Sequence, residues 1–319
     1  MPLQNQRGGS EKTGRGHNKN GRADAPLKND CKMIFNKRLK QQKRNNSSTC
    51  NCRCVVMPMA ERAPKDILVG VYSPGRRLFE FSVWVRNAPG AIAEVSGCLA
   101  ENGVNLLSGF HKADPSADKA LWGFIADLTG LKIRPAEILR KIKALKAVLD
   151  VNMGEARFNG LIVDEIHFPL TALGERSLLL RVETWGDMSN RLFEAFGSGA
   201  GVILYEMGLK AGENKAKNIF EKYGVDGLKA LQIILAERMA KGWGIPKIEE
   251  FKEDKLEAKI SVQDLFECIP YRGKVSQPKS HFFRGYITGA FSHLFRKKAT
   301  VTEVECIAKA DEKCQFEVK

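Results

Sequence analysis

Residues 78–86, LFEFSVWVR, alternate strictly. Phe79, Phe81, Val83 and Val85 point one way and Glu80, Ser82, Trp84 and Arg86 the other, the pattern of a half-buried strand. NAPG (87–90) is a loop in which Pro89 and Gly90 set the turn. Apolar positions then recur at helical spacing over 91–103, with Ile92, Val95 and Leu99 on one face and Gly103 as the stop. VNLLSGFH (104–111) and ALWGFIADL (120–128) are two strands joined by a polar hairpin loop, and Pro135 opens a second helix whose stripe is Ile138, Ile142 and Leu145. LDVNMGEARF (149–158) is the last strand of the group. The order strand, helix, strand, strand, helix, strand is that of a ferredoxin-like unit.

The second half has a different rhythm. GLIVDEIHF (160–168) and RSLLLRVE (176–183) read as strands, followed by helical stretches over 186–197, 199–224 (glycine-broken) and 226–242. Leu228, Leu231, Leu235 and Met239 share one face of the third. Strands return at 244–253 and 257–268, a helix fills 279–295, and a hairpin closes the chain. On the 279–295 helix, Phe283, Ile287, Phe291 and Phe295 fall every four residues, while Gly285 and Gly289 form a small-residue stripe that admits another backbone. The Phe stripe suits plain core; Tyr286, an aromatic wall with a polar handle, also suits a pocket for a flat ligand. The fold class is therefore α+β: a ferredoxin-like unit at 76–157, then helices and a mostly antiparallel sheet at 158–319.

Composition changes the picture at the N-terminus. Residues 1–60 carry a net charge of +10 out of the chain's +14, with little periodic apolar content, so 1–63 reads as a disordered basic tail. Such an arm offers non-specific nucleic-acid contact through residues 1–56; a solvated tail, or sequence upstream of a start at Met57 or Met59, explains it as well. No apolar run of membrane-spanning length and no secretory signal are present, which points to a cytoplasmic protein without a disulfide framework. CNCRC (50–54) does not have the spacing of a common zinc knuckle. No dinucleotide or phosphate-loop motif occurs, and His111 and His167 are expected on strands with no constellation around them.

TEVECIAKADEKCQFEV (302–318) places Cys306 and Cys314 symmetrically about Ala310. Opposed residues of a hairpin have Cβ atoms about 4.5–5.5 Å apart, close enough for both sulfurs to reach one zinc. Glu303 joins them if the strand is bulged. A reduced, buried thiol pair remains the alternative.

Two resemblances follow from these residues. RNAPGAIAEVSGCLAENGVNL, with the element order, resembles an ACT domain over about 75 residues. Members usually have Asp where this chain has Asn87. The resemblance implies a dimer that binds a small effector, often an amino acid, through Asn87, Pro89, Gly90, Ala91, Ile92 and Asn105, with the helix N-terminus holding a carboxylate. An empty dimerisation module is the other reading. GYITGAF (285–291) together with 302–318 resembles the small-molecule-binding domain named after 4-vinyl reductases, found also as the sensor of phenol- and xylene-responsive activators; its fold is shared with subunits of vesicle-tethering complexes. That resemblance implies a hydrophobic or aromatic ligand near Phe283, Tyr286 and Ile287, and a zinc held by Glu303, Cys306, Cys314 and a cysteine just before the Gly-Tyr helix. Ser280 stands at this last position; Cys268 or His281 are the candidates to replace it.

The expectation is a non-enzymatic regulatory protein, a homodimer with two small-molecule sites acting on a separate protein partner. A reductase or tetrapyrrole-related accessory enzyme and a structural tether are the alternatives.

Overall fold

The computed structural model describes residues 62–319, so the basic tail up to residue 61, the CNCRC motif and the start at Met57 lie outside the described residues. Residues 68–319 form one compact unit rather than two. It holds two sheets, each with its own core. Among the described residues no helix is long and apolar enough to cross a membrane.

The first sheet is built from β2 (Leu78–Arg86), β3 (Asn105–Ala113), β4 (Lys119–Asp127) and β5 (Val148–Glu155), in the order β3-β4-β2-β5 and antiparallel throughout. With α1 (Ala91–Glu101) and α2 (Pro135–Lys143) this is the ferredoxin-like arrangement. Phe79, Phe81, Val83 and Val85 face the helices and meet Val95, Leu99, Ile138 and Ile142. The expected polar face of β2 departs from the alternation rule: Glu80 and Ser82 are buried too. A short ribbon of β1 (Gly70–Tyr72) paired with β6 (Leu161–Val163) covers that side, with Ile162 packing on Leu78 and Ile125. The expected strand over 160–168 is accordingly only Leu161–Val163; beyond it the chain leaves the ladder with Asp164 and His167.

The strand expected over 176–183 does not form. Only Glu175–Arg176 (β8) pairs, with Thr171–Ala172 (β7), and Leu178, Leu179 and Leu180 are exposed. Apolar content cannot hold an extended segment that has no neighbouring edge for its N–H and C=O groups. Instead α3 begins at Val182 and runs to Phe196.

The second sheet joins β9 (Ile245–Lys252), β10 (Glu257–Gln263), β11 (Val301–Glu305) and β12 (Cys314–Val318) in the order β11-β12-β10-β9, again antiparallel. Beside it lie α4 (Gly199–Tyr223), α5 (Gly227–Ala240) and α6 (His281–Phe295). The glycines of α4 do not break it: the helix runs unbroken for 25 residues. Gly208 and Gly212 face Phe282 and Tyr286 of α6, and Gly285 and Gly289 of α6 face Tyr205 and Leu209 of α4. At each of the four a Cβ would fall on the opposing carbonyl oxygen. Two reciprocal Gly-x-x-x-Gly stripes therefore let the backbones touch, which fixes α6 against α4. The other faces of α6 supply Phe283, Tyr286, Ile287 and Phe291 to the core with Ile260, Leu231 and Phe316. In α5 the buried face is Ala230, Leu231, Ile234 and Leu235, while Met239 of the expected stripe is exposed.

Candidate metal centre

Four chain segments converge at the N-terminal end of α6. After β10 the chain turns, and Cys268 caps a 3-10 turn at Ile269–Tyr271. Glu303 lies in β11 opposite Phe316, and the register slips between Glu303 and Glu305, the bulge that aims its carboxylate inward. Cys306 follows the strand and starts a second 3-10 turn, Ile307–Lys309, which Ala310 closes at φ 74°. Asp311 holds this loop by accepting from the Cys306 N–H at 2.7 Å. Cys314 opens β12 opposite Val262. Cys306 and Cys314 are thus not strand partners, because β11 ends at Glu305; the tightly turned loop brings them together instead.

One ligand atom from each of Cys268, Glu303, Cys306 and Cys314 lies within 4.8 Å of the others. The Cys268 and Cys306 sulfurs are 3.5 Å apart, outside bonding distance, and all three cysteines are fully buried. Four-coordinate zinc with Zn–S bonds of about 2.3 Å places sulfurs about 3.8 Å apart, so this donor set fits such an ion. The Ser280 hydroxyl sits among the donors, 3.0 Å from the Cys268 sulfur, and donates to Glu303 Oε1 at 2.6 Å. Of the two candidates for the fourth ligand, the structure brings Cys268 to the group. His281 is not in it: its ring packs on Phe193 (5.7 Å between centroids) and beside Gly201.

Electrostatics make the cluster want a cation. Hydrogen bonds from Cys268 and Cys314 push the Cys306 thiol well below its ordinary value, and the bond to Cys306 pushes Cys268 up. Burial, then the Cys306 charge, raises Glu303 to about 9. Without a metal the site holds one thiolate and a protonated carboxyl; a divalent ion would release those protons and offset the cost of burying charge. Below it, Glu267 is also buried and accepts from the N–H groups of Phe282 and Phe283 at 2.7 and 2.8 Å. It satisfies the first turn of α6, a role no local motif announced.

Phe283 and Ile287 are core residues, whereas Tyr286 differs in having a buried hydroxyl without a partner. Its ring lies 5.1 Å from Trp243, over which the Arg238 guanidinium stacks at 4.5 Å. Trp185 extends the aromatic wall through Phe266 and Phe282 at 5.2 and 5.3 Å, and its indole N–H is likewise buried and unpartnered. Trp185 and Trp243 stand where the chain shows no motif, so sequence reasoning passed them over.

In the first sheet the candidate effector residues separate. Asn87 donates both amide hydrogens, to the carbonyls of Asp114 and Ala117 at 2.9 and 2.8 Å, and so ties down the β3–β4 loop. Pro89 is exposed, Gly90 caps α1 at φ 89°, Ala91 is buried and Ile92 half-buried. Asn105 pairs with Asp127 at the Leu78 end of the sheet, whereas Arg86, next to Asn87, pairs with Lys119 at the other end. At about 3.3 Å per residue the two ends are roughly 25 Å apart, so one chain does not unite the six. The expectation that His167 lacks neighbours is overturned: its Nδ1 is 3.1 Å from both Glu80 and Asp164. Glu80 occupied a position that alternation assigned to solvent.

An α+β protein whose second sheet closes on a buried thiol–carboxylate cluster is the class defined by these features. Residues 260–319 match the 4-vinyl reductase domain, so the chain carries that domain at its C-terminus. It is similar to a protein of Methanocaldococcus jannaschii, 30% identical over 81 residues, which covers 25% of this chain and 47% of that protein. The chain thus matches about half the length of this curated relative. Among solved structures it resembles the phenol-responsive sensory domain of the transcription activator PoxR with phenol (TM-score 0.43, 21% identity, 46% of this chain and 79% of that one). It also resembles a vinyl-4-reductase family protein from Methanocaldococcus jannaschii (TM-score 0.33, 23% identity, 45% and 83%).

Proposed function

We propose that this is a regulatory protein whose 4-vinyl reductase domain binds a small aromatic molecule carrying a polar group, above a structural zinc held by Cys268, Glu303, Cys306 and Cys314. The role is non-catalytic, and the ferredoxin-like unit acts as an ACT-type effector module that pairs with a second copy. One observation carries the ligand reading: Trp185 Nε1 and Tyr286 Oη are buried without partners inside an aromatic wall. Buried polar atoms are normally satisfied, so two such atoms among aromatic rings mark the place of an absent hydrogen-bonding group. The zinc would tie the corner before α6 to the last two strands, fixing the helix that carries Tyr286. The test is a titration of phenol and toluene followed by tryptophan fluorescence. Phenol should bind more tightly, and Tyr286→Phe should weaken phenol about tenfold with little change for toluene, the loss of one hydrogen bond of roughly 1–1.5 kcal/mol. Equal binding of the two, unaffected by Tyr286→Phe, would overturn the ligand reading. Zinc content of one equivalent per chain, lost in Cys306→Ser and Cys268→Ser but kept in Ser280→Ala, tests the metal.

A further inference from the structure

The group of Glu80, Asp164 and His167 lies on the face of the first sheet away from its helices, in the other half of the unit from the thiols. We propose that it is a second metal site, built for a divalent cation that prefers oxygen and nitrogen donors, such as Mn²⁺. His167 Nδ1 stands 3.1 Å from Glu80 Oε1 and 3.1 Å from Asp164 Oδ1, and the three donor atoms lie within 4.8 Å of one another. An octahedral ion with bonds of about 2.2 Å separates adjacent donors by about 3.1 Å, within the range of hard divalent cations. Three protein donors leave further positions for water.

The donors are built in, not a solvated acidic patch. Glu80 is 2% exposed, and the Asp164 and His167 side chains are 10% and 11% exposed. Asp164 is fixed by the N–H groups of Ile166 and His167, at 3.1 and 2.9 Å from Oδ1. The imidazole is held edge-on to Phe110 at 4.9 Å and lies over Gly123, where a Cβ would come 2.8 Å from its Cε1. Gly154, paired with Glu80 across β2 and β5, leaves the space beside Oε2 without a side chain. Charge supplies the independent argument. Two carboxylates share this desolvated pocket, and Glu165, paired outward with Arg157, adds a third nearby. The cationic partner that Glu80 and Asp164 have in common is a single histidine, His167. Buried like charges at this distance call for a cation between them. Glu80 belongs to the sheet, while Asp164 and His167 belong to the connector that leads to the 4-vinyl reductase domain, so the ion would clamp that connector onto the sheet.

Mn²⁺ separates this site from the cysteines, because thiolates favour softer ions. The metal-free full-length protein is titrated with Mn²⁺, and the free ion is followed by electron paramagnetic resonance. We expect one tight equivalent per chain, retained in Cys306→Ser and weakened at least tenfold in His167→Gln and in the isosteric Glu80→Gln. Far-ultraviolet circular dichroism identifies a variant that fails to fold, and Glu80→Gln then decides. Wild-type uptake no greater than that of folded Glu80→Gln would overturn the proposal and leave His167 as an ion-pair partner alone.

Discussion

Replacing Gly285 by alanine should destabilise the second half of the unit, although alanine is the better helix former. The Cβ would overlap the Tyr205 carbonyl oxygen and lie 2.9 Å from the Tyr205 carbonyl carbon and 3.0 Å from the Leu209 nitrogen. Ordinary carbon contacts are about 3.5–4.0 Å, and every atom met is helix backbone, so no rotamer change relieves the overlap. The two helices must separate by about 1 Å. Overpacking of this kind costs up to about 3 kcal/mol, and higher helix propensity returns about 1 kcal/mol, leaving a net loss of about 2 kcal/mol. Gly97 provides the control: it lies in α1, and a Cβ added there would meet nothing within 4 Å. Gly97→Ala should therefore stabilise by somewhat under about 1 kcal/mol. Urea unfolding followed by the fluorescence of Trp185 and Trp243 reports the second half, and hydrogen exchange of α1 reports the control. A Gly285→Ala protein as stable as wild type or more so would refute the close-contact reading of α4 and α6.

Asn87→Asp, which restores the residue usual in ACT domains, should loosen the 114–118 loop. It removes two donated hydrogen bonds and sets a carboxylate against two carbonyl oxygens, at a cost of about 1–2 kcal/mol, readable as faster exchange of the Ala117 and Asn87 amides. Burial, then Arg284 and Lys279, lowers His281 to about 4. The unfolded chain therefore binds the extra proton between pH 6.5 and 4, and stability falls as pH drops through that window. His281→Gln should flatten the fall in urea midpoint between about pH 7 and 5; an unchanged slope would assign it to other groups. Glu267→Ala leaves the Phe282 and Phe283 N–H groups buried without an acceptor and should cost about 2–3 kcal/mol in the same assay. Wild-type stability in that variant would mean that water caps α6 equally well.

Periodicity made most elements legible. Alternation located β2 and β4, the three-to-four spacing located α1, α2 and α6, and the strand order followed from the element order. What it concealed depends on contacts distant in sequence. Alternation assigned Glu80 to solvent because it reports one covered face, and the ribbon of β1 with β6 covers the other. The leucines at 178–180 looked like a strand because composition does not say whether an edge is available. Gly208 and Gly212 looked like breaks until Gly285 and Gly289 were found opposite. At the thiol cluster, Glu303, Cys306 and Cys314 were visible through their spacing, and Cys268 was named only as a candidate. Its closeness to Ser280 is a property of the corner after β10, which no local pattern encodes.

That corner has a consequence for how such centres diverge. The Cys268 sulfur and the Ser280 hydroxyl are 3.0 Å apart although twelve residues separate them along the chain. A thiol at either place enters the same volume from a different side. The exchange Cys268→Ser with Ser280→Cys would therefore permute the donor without dismantling the centre. Related chains could pass between the two arrangements through a form carrying both cysteines, keeping the ion throughout. A column-by-column comparison would score that passage as a loss followed by an unrelated gain.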